Sequence, residues 1–348
     1  MFVATRLRDA PIVLPKSDVR MGNSINGPSL IKVPSWVNEP KGRYYLYYAE
    51  HKGRFIGLAY ADDLCGPWQI HSPGVLDLSQ SLFLSEVPPV PPEDLRPDWA
   101  EAQGGDYLYP HIASPDVHVD HELKQIRMYF HGLLPRGDQQ TRLATSSDGL
   151  AFNVEEPLLG PAYFRVFEHE TNCYAISWGG KIFRASSPRG PFEAGQALVP
   201  KDALSDSNES VRHVGVQISD KILWLFFSCI GAKPESIHVA EIPLSGDWKT
   251  WQPSRITKLL VPELDWEGAG QPETTSIMGP PKGFSAALLD PFVFQDGYDT
   301  YMLYVGGGEF GGIGICALHP LSSFANDTAF QSNIYLKTSP AQMDAFGV

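Results

Sequence analysis

Long apolar runs are missing from this 348-residue chain. Its unbroken stretches, such as residues 222–227, fall far short of the ~20 residues a membrane-crossing helix needs. A basic excess is missing too: 27 Lys and Arg face 40 Asp and Glu, a formal charge of −13. Without surplus cations to neutralise phosphates, backbone-driven nucleic-acid binding is excluded. Cysteine is scarce. Cys65, Cys173, Cys229 and Cys316 lie far apart, with no CxxC spacing for zinc, and are expected as reduced, packed small hydrophobes. The opening residues MFVATRLRDAPIVLPK contain no secretory h-region, which implies cytoplasmic residence. Finally, no amphipathic helical period is long enough for βαβ units, so a doubly wound sheet is disfavoured.

What is abundant is turn chemistry and aromatic surface. The chain has 32 Gly, 30 Pro, 8 Trp, 14 Tyr and 18 Phe, with 43 % hydrophobic and only 19 % charged residues. That composition suits many short strands and excludes disorder. A module recurs five times: an apolar alternating run, a short turn, an aromatic run, then a third strand. The strand pairs are Pro28-Ser-Leu-Ile-Lys-Val with Arg43-Tyr-Tyr-Leu-Tyr-Tyr, and Pro115-Asp-Val-His-Val with Gln125-Ile-Arg-Met-Tyr-Phe. Three more are Tyr163-Phe-Arg-Val-Phe with Asn172-Cys-Tyr-Ala-Ile-Ser, His213-Val-Gly-Val-Gln-Ile with Lys221-Ile-Leu-Trp-Leu-Phe-Phe, and Pro291-Phe-Val-Phe with Thr300-Tyr-Met-Leu-Tyr-Val. Five such meanders predict an all-β fold, a single five-bladed β-propeller over 1–348, with blades starting near 28, 115, 163, 211 and 291. Surplus chain falls in long loops at 81–109 and 262–284, the first Pro-rich and carrying Trp99, Tyr107 and Tyr109 as a substrate-facing wall.

Inner strands of a propeller line its channel, so polar residues at their starts converge on one opening. Those positions hold Asn26, Asp116, Arg165 with Glu168 or Glu170, Arg212 with His213, and Asp290. Ala113-Ser-Pro-Asp-Val-His-Val followed by Ile126-Arg-Met-Tyr-Phe-His resembles the second-blade motif of glycoside hydrolase family 43. Leu289-Asp-Pro-Phe-Val-Phe-Gln-Asp-Gly resembles another blade opening of that superfamily, and Asn26-Gly-Pro-Ser-Leu-Ile its first blade.

The resemblance implies a glycosidase acting on a small or oligomeric saccharide, with a general base, a general acid and a carboxylate that tunes the acid. It places the tuning carboxylate on Asp116. It places Asn26, whose amide cannot accept a proton, at the base position, and His213 or Arg212 at that of the acid. His213 can serve as the acid, raised by Asp116. The base can come from Asp290, Glu170 or Glu273, with Asp290 preferred because it opens a blade. Ser114-Pro-Asp-Val-His118 also resembles the Ser-x-Asp-x-His pattern of neoagarooligosaccharide hydrolases. Asn26, His111, Arg165, Arg212, Glu273 and Trp99 are the candidate substrate-binding residues. Trp36, Trp99 and Trp266 sit in loops that can stack on sugars. No cofactor is required, although the resemblance allows a channel-bound metal ion such as calcium. A polysaccharide lyase, with Arg165 or Arg212 neutralising a uronate, and a non-catalytic sugar-binding propeller are the competing readings.

Overall fold

The computed structural model describes residues 1–20, 22–96, 107–279 and 283–321. Five antiparallel sheets stand radially around one channel, making a five-bladed β-propeller. Among the described residues there is no α-helix, only three-residue 3-10 turns, and no helix is long and apolar enough to cross a membrane.

β1 (Phe2–Arg6) precedes the blades. Blade I contains β2 (Asn26–Lys32), β3 (Tyr44–Ala49) and β4 (Phe55–Ala61), with β5 (Gln69–Ile70) and β6 (Leu76–Asp77) both on the edge of β4. Blade II contains β7 (Ile112–Asp120), β8 (Gln125–Leu133) and β9 (Gln139–Ser146), edged by β10 (Asn153–Val154) and β11 (Gly160–Pro161). Blade III is β12 (Arg165–His169), β13 (Asn172–Ile176), β14 (Lys181–Ala185) and β15 (Glu193–Ala197). Blade IV is β16 (Ser210–Ser219), β17 (Ile222–Ile230), β18 (Ile237–Pro243) and β19 (Arg255–Leu260). Blade V is β20 (Leu288–Asp296), β21 (Asp299–Gly306) and β22 (Gly312–Pro320), and its outer strand is β1.

The ring therefore closes between the two ends of the described chain, with Phe2 opposite Pro320 and Arg6 opposite Cys316. Arg6 locks this closure by a forked pair of bonds, Nε and Nη2 to the Glu267 carboxylate at 2.7 and 2.8 Å. Glu267 is completely buried and also accepts from Tyr304 Oη at 2.7 Å and from the Glu263 and Leu264 amides. A buried carboxylate is tolerable only when its lone pairs are matched in this way.

Apolar clusters fill each seam between neighbouring blades. Alternation on β3 therefore works differently from a half-buried strand. Tyr45 and Tyr47 pack into the seam with blade II, while Tyr44 and Tyr48 pack into the seam with blade V. All four are buried. Cys173, Cys229 and Cys316 are free and buried in the sheets, each thiol pushed up to about 12, chiefly by burial.

Four of the five inner strands share a device that positions the site. Pairing slips at Gly27-Pro28 in β2, Ser114-Pro115 in β7, Arg212-His213 in β16 and Asp290-Pro291 in β20. Proline suits such bulges because the ladder asks no N–H of it there. Gly27, Ser114 and Asp290 adopt left-handed φ of 55°, 49° and 50°. At Gly27 a side chain is impossible without movement: its Cβ would lie 2.8 Å from the Cα of Ser114 in the next blade.

Candidate functional site

One residue pins the channel. Arg165, 6 % exposed, donates from Nε to Val214 O at 3.1 Å and from Nη1 to Pro115 O at 2.8 Å. Nη1 also meets Asp116 Oδ1 at 3.3 Å, Nη2 meets Pro28 O at 3.3 Å, and the guanidinium lies 5.3 Å from the Phe292 ring centroid. A single side chain from blade III thus touches the other four blades. The expectation that Arg165 binds substrate is corrected here, because its donors are consumed by the fold.

Asp116 belongs to the same pin. Its Oδ2 accepts from Val166 N at 2.7 Å and contacts His118 Nε2 at 2.8 Å. Burial pushes this carboxyl up, but His118, Arg165 and the Val166 N–H outweigh it and hold it below the usual range. It does not meet His213, and the expected tuning contact is replaced by these bonds. The bulge is the reason. Two unpaired residues shift the alternation, so Ser114 takes the position that Asp290 takes in blade V, and Gly27 takes it in blade I.

Above Arg165 the channel opens into a cavity of about 200 Å³. Its walls include His51, Tyr109, Asp138, Gln139, Tyr163, Trp178, Arg212, His213 and Glu309. Asp290, 1 % exposed, sits at the base of this region. Its Oδ2 accepts the Gly27 N–H at 2.9 Å and its Oδ1 receives His213 Nδ1. Burial first, then the charges of Arg212 and Arg165 and the neighbouring His131 and His51, hold His213 well below 6.5. The imidazole is neutral at pH 7, so Nδ1 carries the proton that Asp290 accepts. Nε2 then keeps its lone pair, on a ring that lines the cavity.

The floor is aromatic. Tyr163 lies 4.0 Å from His213 and 4.3 Å from His131, and Tyr109 lies 4.6 Å from His111, centroid to centroid. His111 is buried, donates Nδ1–H to Tyr109 O at 2.8 Å, and is held down to about 4 mainly by burial. It supports Tyr109 from behind and does not face a ligand. Both ring nitrogens of buried His131 lack a protein partner. Calcium takes six to eight oxygen ligands, whereas His131 is flanked by the rings of His111 and Tyr163. Among the described residues no three His, Cys, Asp or Glu side chains are grouped to hold a metal ion. The donor set does not fit that ion.

Arg212 lines the opening, but its charge is committed. Nε donates to Glu235 at 2.9 Å, and Nη2 donates to Ser276 Oγ at 2.7 Å and Ile277 O at 2.6 Å. Asn26 is buried and donates Nδ2–H to Glu309 Oε2 at 3.3 Å. Glu170 lies elsewhere: it is exposed in the turn between β12 and β13, at the far end of the inner strand. Glu273 is exposed on the connection from β19 to β20 and does not line the cavity. Neither can supply the base beside His213. Trp99 lies outside the described residues. Trp36, in the β2–β3 turn, packs on the seam of blades I and II, and Trp266 stacks on Tyr304 at 5.7 Å, so both are anchors.

The sequence reading missed Glu309, His51, Tyr163 and Trp178. Glu309, 3 % exposed, contacts His51 Nδ1 at 3.3 Å as well as Asn26. Its signal was local: a single acid inside the run Gly306-Gly-Gly-Glu-Phe-Gly-Gly.

No protein-family model matches this chain. Over 306 residues it is 33 % identical to the uncharacterized protein R118 of Acanthamoeba polyphaga mimivirus, covering 83 % of this chain and 82 % of the viral one. The chain belongs to the family of R118. Among solved structures, this R118-family propeller is similar to a family-43 β-xylosidase/α-arabinofuranosidase from a compost microbial metagenome, in complex with xylotriose. The TM-score is 0.56 at 11 % identity, over 91 % of this chain and 96 % of that one. A thermostable family-43 glycoside hydrolase gives 0.53 at 14 %, over 85 % and 88 %. An N-acetylgalactosamine deacetylase from F. plautii, bound to blood group B trisaccharide, gives 0.53 at 11 %, over 91 % and 95 %. The fold is the five-bladed propeller of the family-43 glycoside hydrolases.

Proposed function

We propose that the opening above Arg165 binds a saccharide and that the protein hydrolyses a glycosidic bond there, with His213 as the general base. The observation that carries this reading is the His213–Asp290 pair. A neutral imidazole, oriented through Nδ1 by a buried carboxylate, presents a lone pair in an aromatic-floored cavity. Tyr163, Tyr109 and Trp178 offer faces against which a sugar ring packs, while His213 accepts a proton from an attacking water. The likeness in fold to glycosidases supports the same class of substrate.

The lyase reading loses its cation, because Arg165 is locked among carbonyls and Arg212 is paired with Glu235. One observation favours saccharide binding without turnover: Gly27 leaves the channel-facing position of blade I with no side chain. The test is a panel of aryl glycosides and oligosaccharides, scored by product release and, in parallel, by ligand-detected NMR. Turnover that is lost in His213→Gln supports the proposal. Binding without product from any compound leaves the non-catalytic reading, and absorbance from an unsaturated uronate product would revive the lyase.

A further inference from the structure

Glu309 occupies a backbone position that a glutamate takes against its preference. β21 ends at Gly306, and the turn to β22 runs through Gly307, Gly308 and Glu309 with φ of 65°, 60° and 78°. Left-handed φ crowds a Cβ and suits glycine. Glycine surrounds the position, at 306–308 and 311–312, yet the residue itself is an acid. Its carboxylate is nearly buried and is held by two blade I side chains, Asn26 on Oε2 and His51 on Oε1. Its carbonyl accepts the Ile25 N–H at 3.0 Å, fixing the turn against the start of β2.

A second carboxyl adds to the crowding, and two carboxyls side by side resist being ionised together. The Glu50 carboxyl is pushed up by burial and by Glu309, with His51 opposing. Backbone strain and paired carboxyls at one buried point persist where the surrounding structure enforces them, and such points cluster at working sites. Glu309 also lines the same cavity as His213, reached from blade V by a turn rather than by an inner strand.

We propose that Glu309 is the second proton-transfer group of this opening, acting together with His213; the proposal rests on the hydrolytic reading above. In the step, a water O–H proton passes to His213 Nε2 as the water oxygen bonds to the anomeric carbon. The glycosidic C–O bond breaks, its electron pair stays on the leaving oxygen, and the proton of the Glu309 carboxylic acid goes to that oxygen. Solvent then returns the His213 proton to Glu309, so one water is consumed and both groups are restored.

The test compares the intact protein with Glu309→Gln, which keeps the turn, the side-chain size and the bond from Asn26, and Glu309→Gly, which removes side chain and crowding together. Thermal unfolding is followed alongside turnover of an alkyl glycoside and a dinitrophenyl glycoside of the sugar found on the panel. An acid matters for the poor leaving group and little for the activated one. Glu309→Gln should lose ~10²-fold or more on the alkyl glycoside and far less on the dinitrophenyl glycoside. Glu309→Gly should melt at a higher temperature while losing the same turnover. A lower melting temperature for Glu309→Gly, or an equal loss on both leaving groups for Glu309→Gln, would overturn the proposal and make Glu309 a structural residue. Full activity in Glu309→Gln would overturn it while leaving hydrolysis standing. No turnover by the unaltered protein would overturn the hydrolytic reading, and the proton-transfer role with it, even where Glu309→Gly is stabilised.

Discussion

His213 Nδ1 meets Asp290 Oδ1 across the seam between blades IV and V, joining two inner-strand bulges 77 residues apart in sequence. Neither residue could make this contact from a regular strand, because the slip in pairing at each position turns the side chain toward the opening.

The pH–rate profile should follow the neutral imidazole. A base works when deprotonated, and burial with the Arg212 charge holds His213 well below 6.5. In kcat/KM measured from about pH 4 to about pH 8, the acid limb, which belongs to His213, should lie well below pH 6.5, any alkaline limb belonging to the proton donor. Asp290→Asn should lower turnover by ~10²-fold or more, since an amide can stabilise the wrong tautomer. An acid-limb midpoint at or above 6.5 would rule out this protonation state.

Stability should fall on mild acidification. His111 and His238 are held at about 4, chiefly by burial, against ~6.5 in an unfolded chain. The unfolded state therefore binds protons first. This stabilising contribution is complete above about pH 6.5 and is lost as pH falls toward about 4, by about 3 kcal/mol per histidine. Denaturant titrations at several pH values check this, and His238→Phe, far from the opening, should flatten the slope.

Arg165→Met should cost about 3–5 kcal/mol, because it leaves Asp116 and three carbonyls without their donor. Urea unfolding measures the loss. A variant that unfolds like the original while losing only ligand affinity would return Arg165 to the role of a substrate residue.

Neutral sugars should bind better than the corresponding uronides. Asp138 lines the cavity with Asp290 behind, while the Arg212 charge is balanced by Glu235. Matched glycoside and uronide pairs in a calorimeter should differ by about tenfold or more, a carboxylate facing unbalanced carboxylates being disfavoured. Equal affinity would mean that Arg212 can be recruited.

The blades were legible because strand pairing repeats five times, and Asp290 and His213 were legible because each lies within a bulge at a blade start. Asn26 and Asp116 were read as their counterparts by the same period of two. Each flanks the bulge instead: Gly27 and Ser114 take the channel-facing places, and a bulge is invisible to a strict alternation. The X-Pro pairs Gly27-Pro28, Ser114-Pro115 and Asp290-Pro291 carry the right alignment. Glu170 was misplaced by its closeness in sequence to β12, although five strand residues carry it to the opposite face. Glu309 follows a second strand, not a first, so a search confined to blade starts passes it by.

The closure of the ring by β1 sets an order of events during synthesis. Phe2–Arg6 leaves the ribosome some 300 residues before its partner Gly312–Pro320. At about 5–20 residues per second, the earlier strand waits tens of seconds without its neighbour. Blades I to IV can assemble in that interval, but β1 has no sheet to join until β20, β21 and β22 of blade V have been made. Until then it is an unpaired strand, of the kind that pairs with other chains.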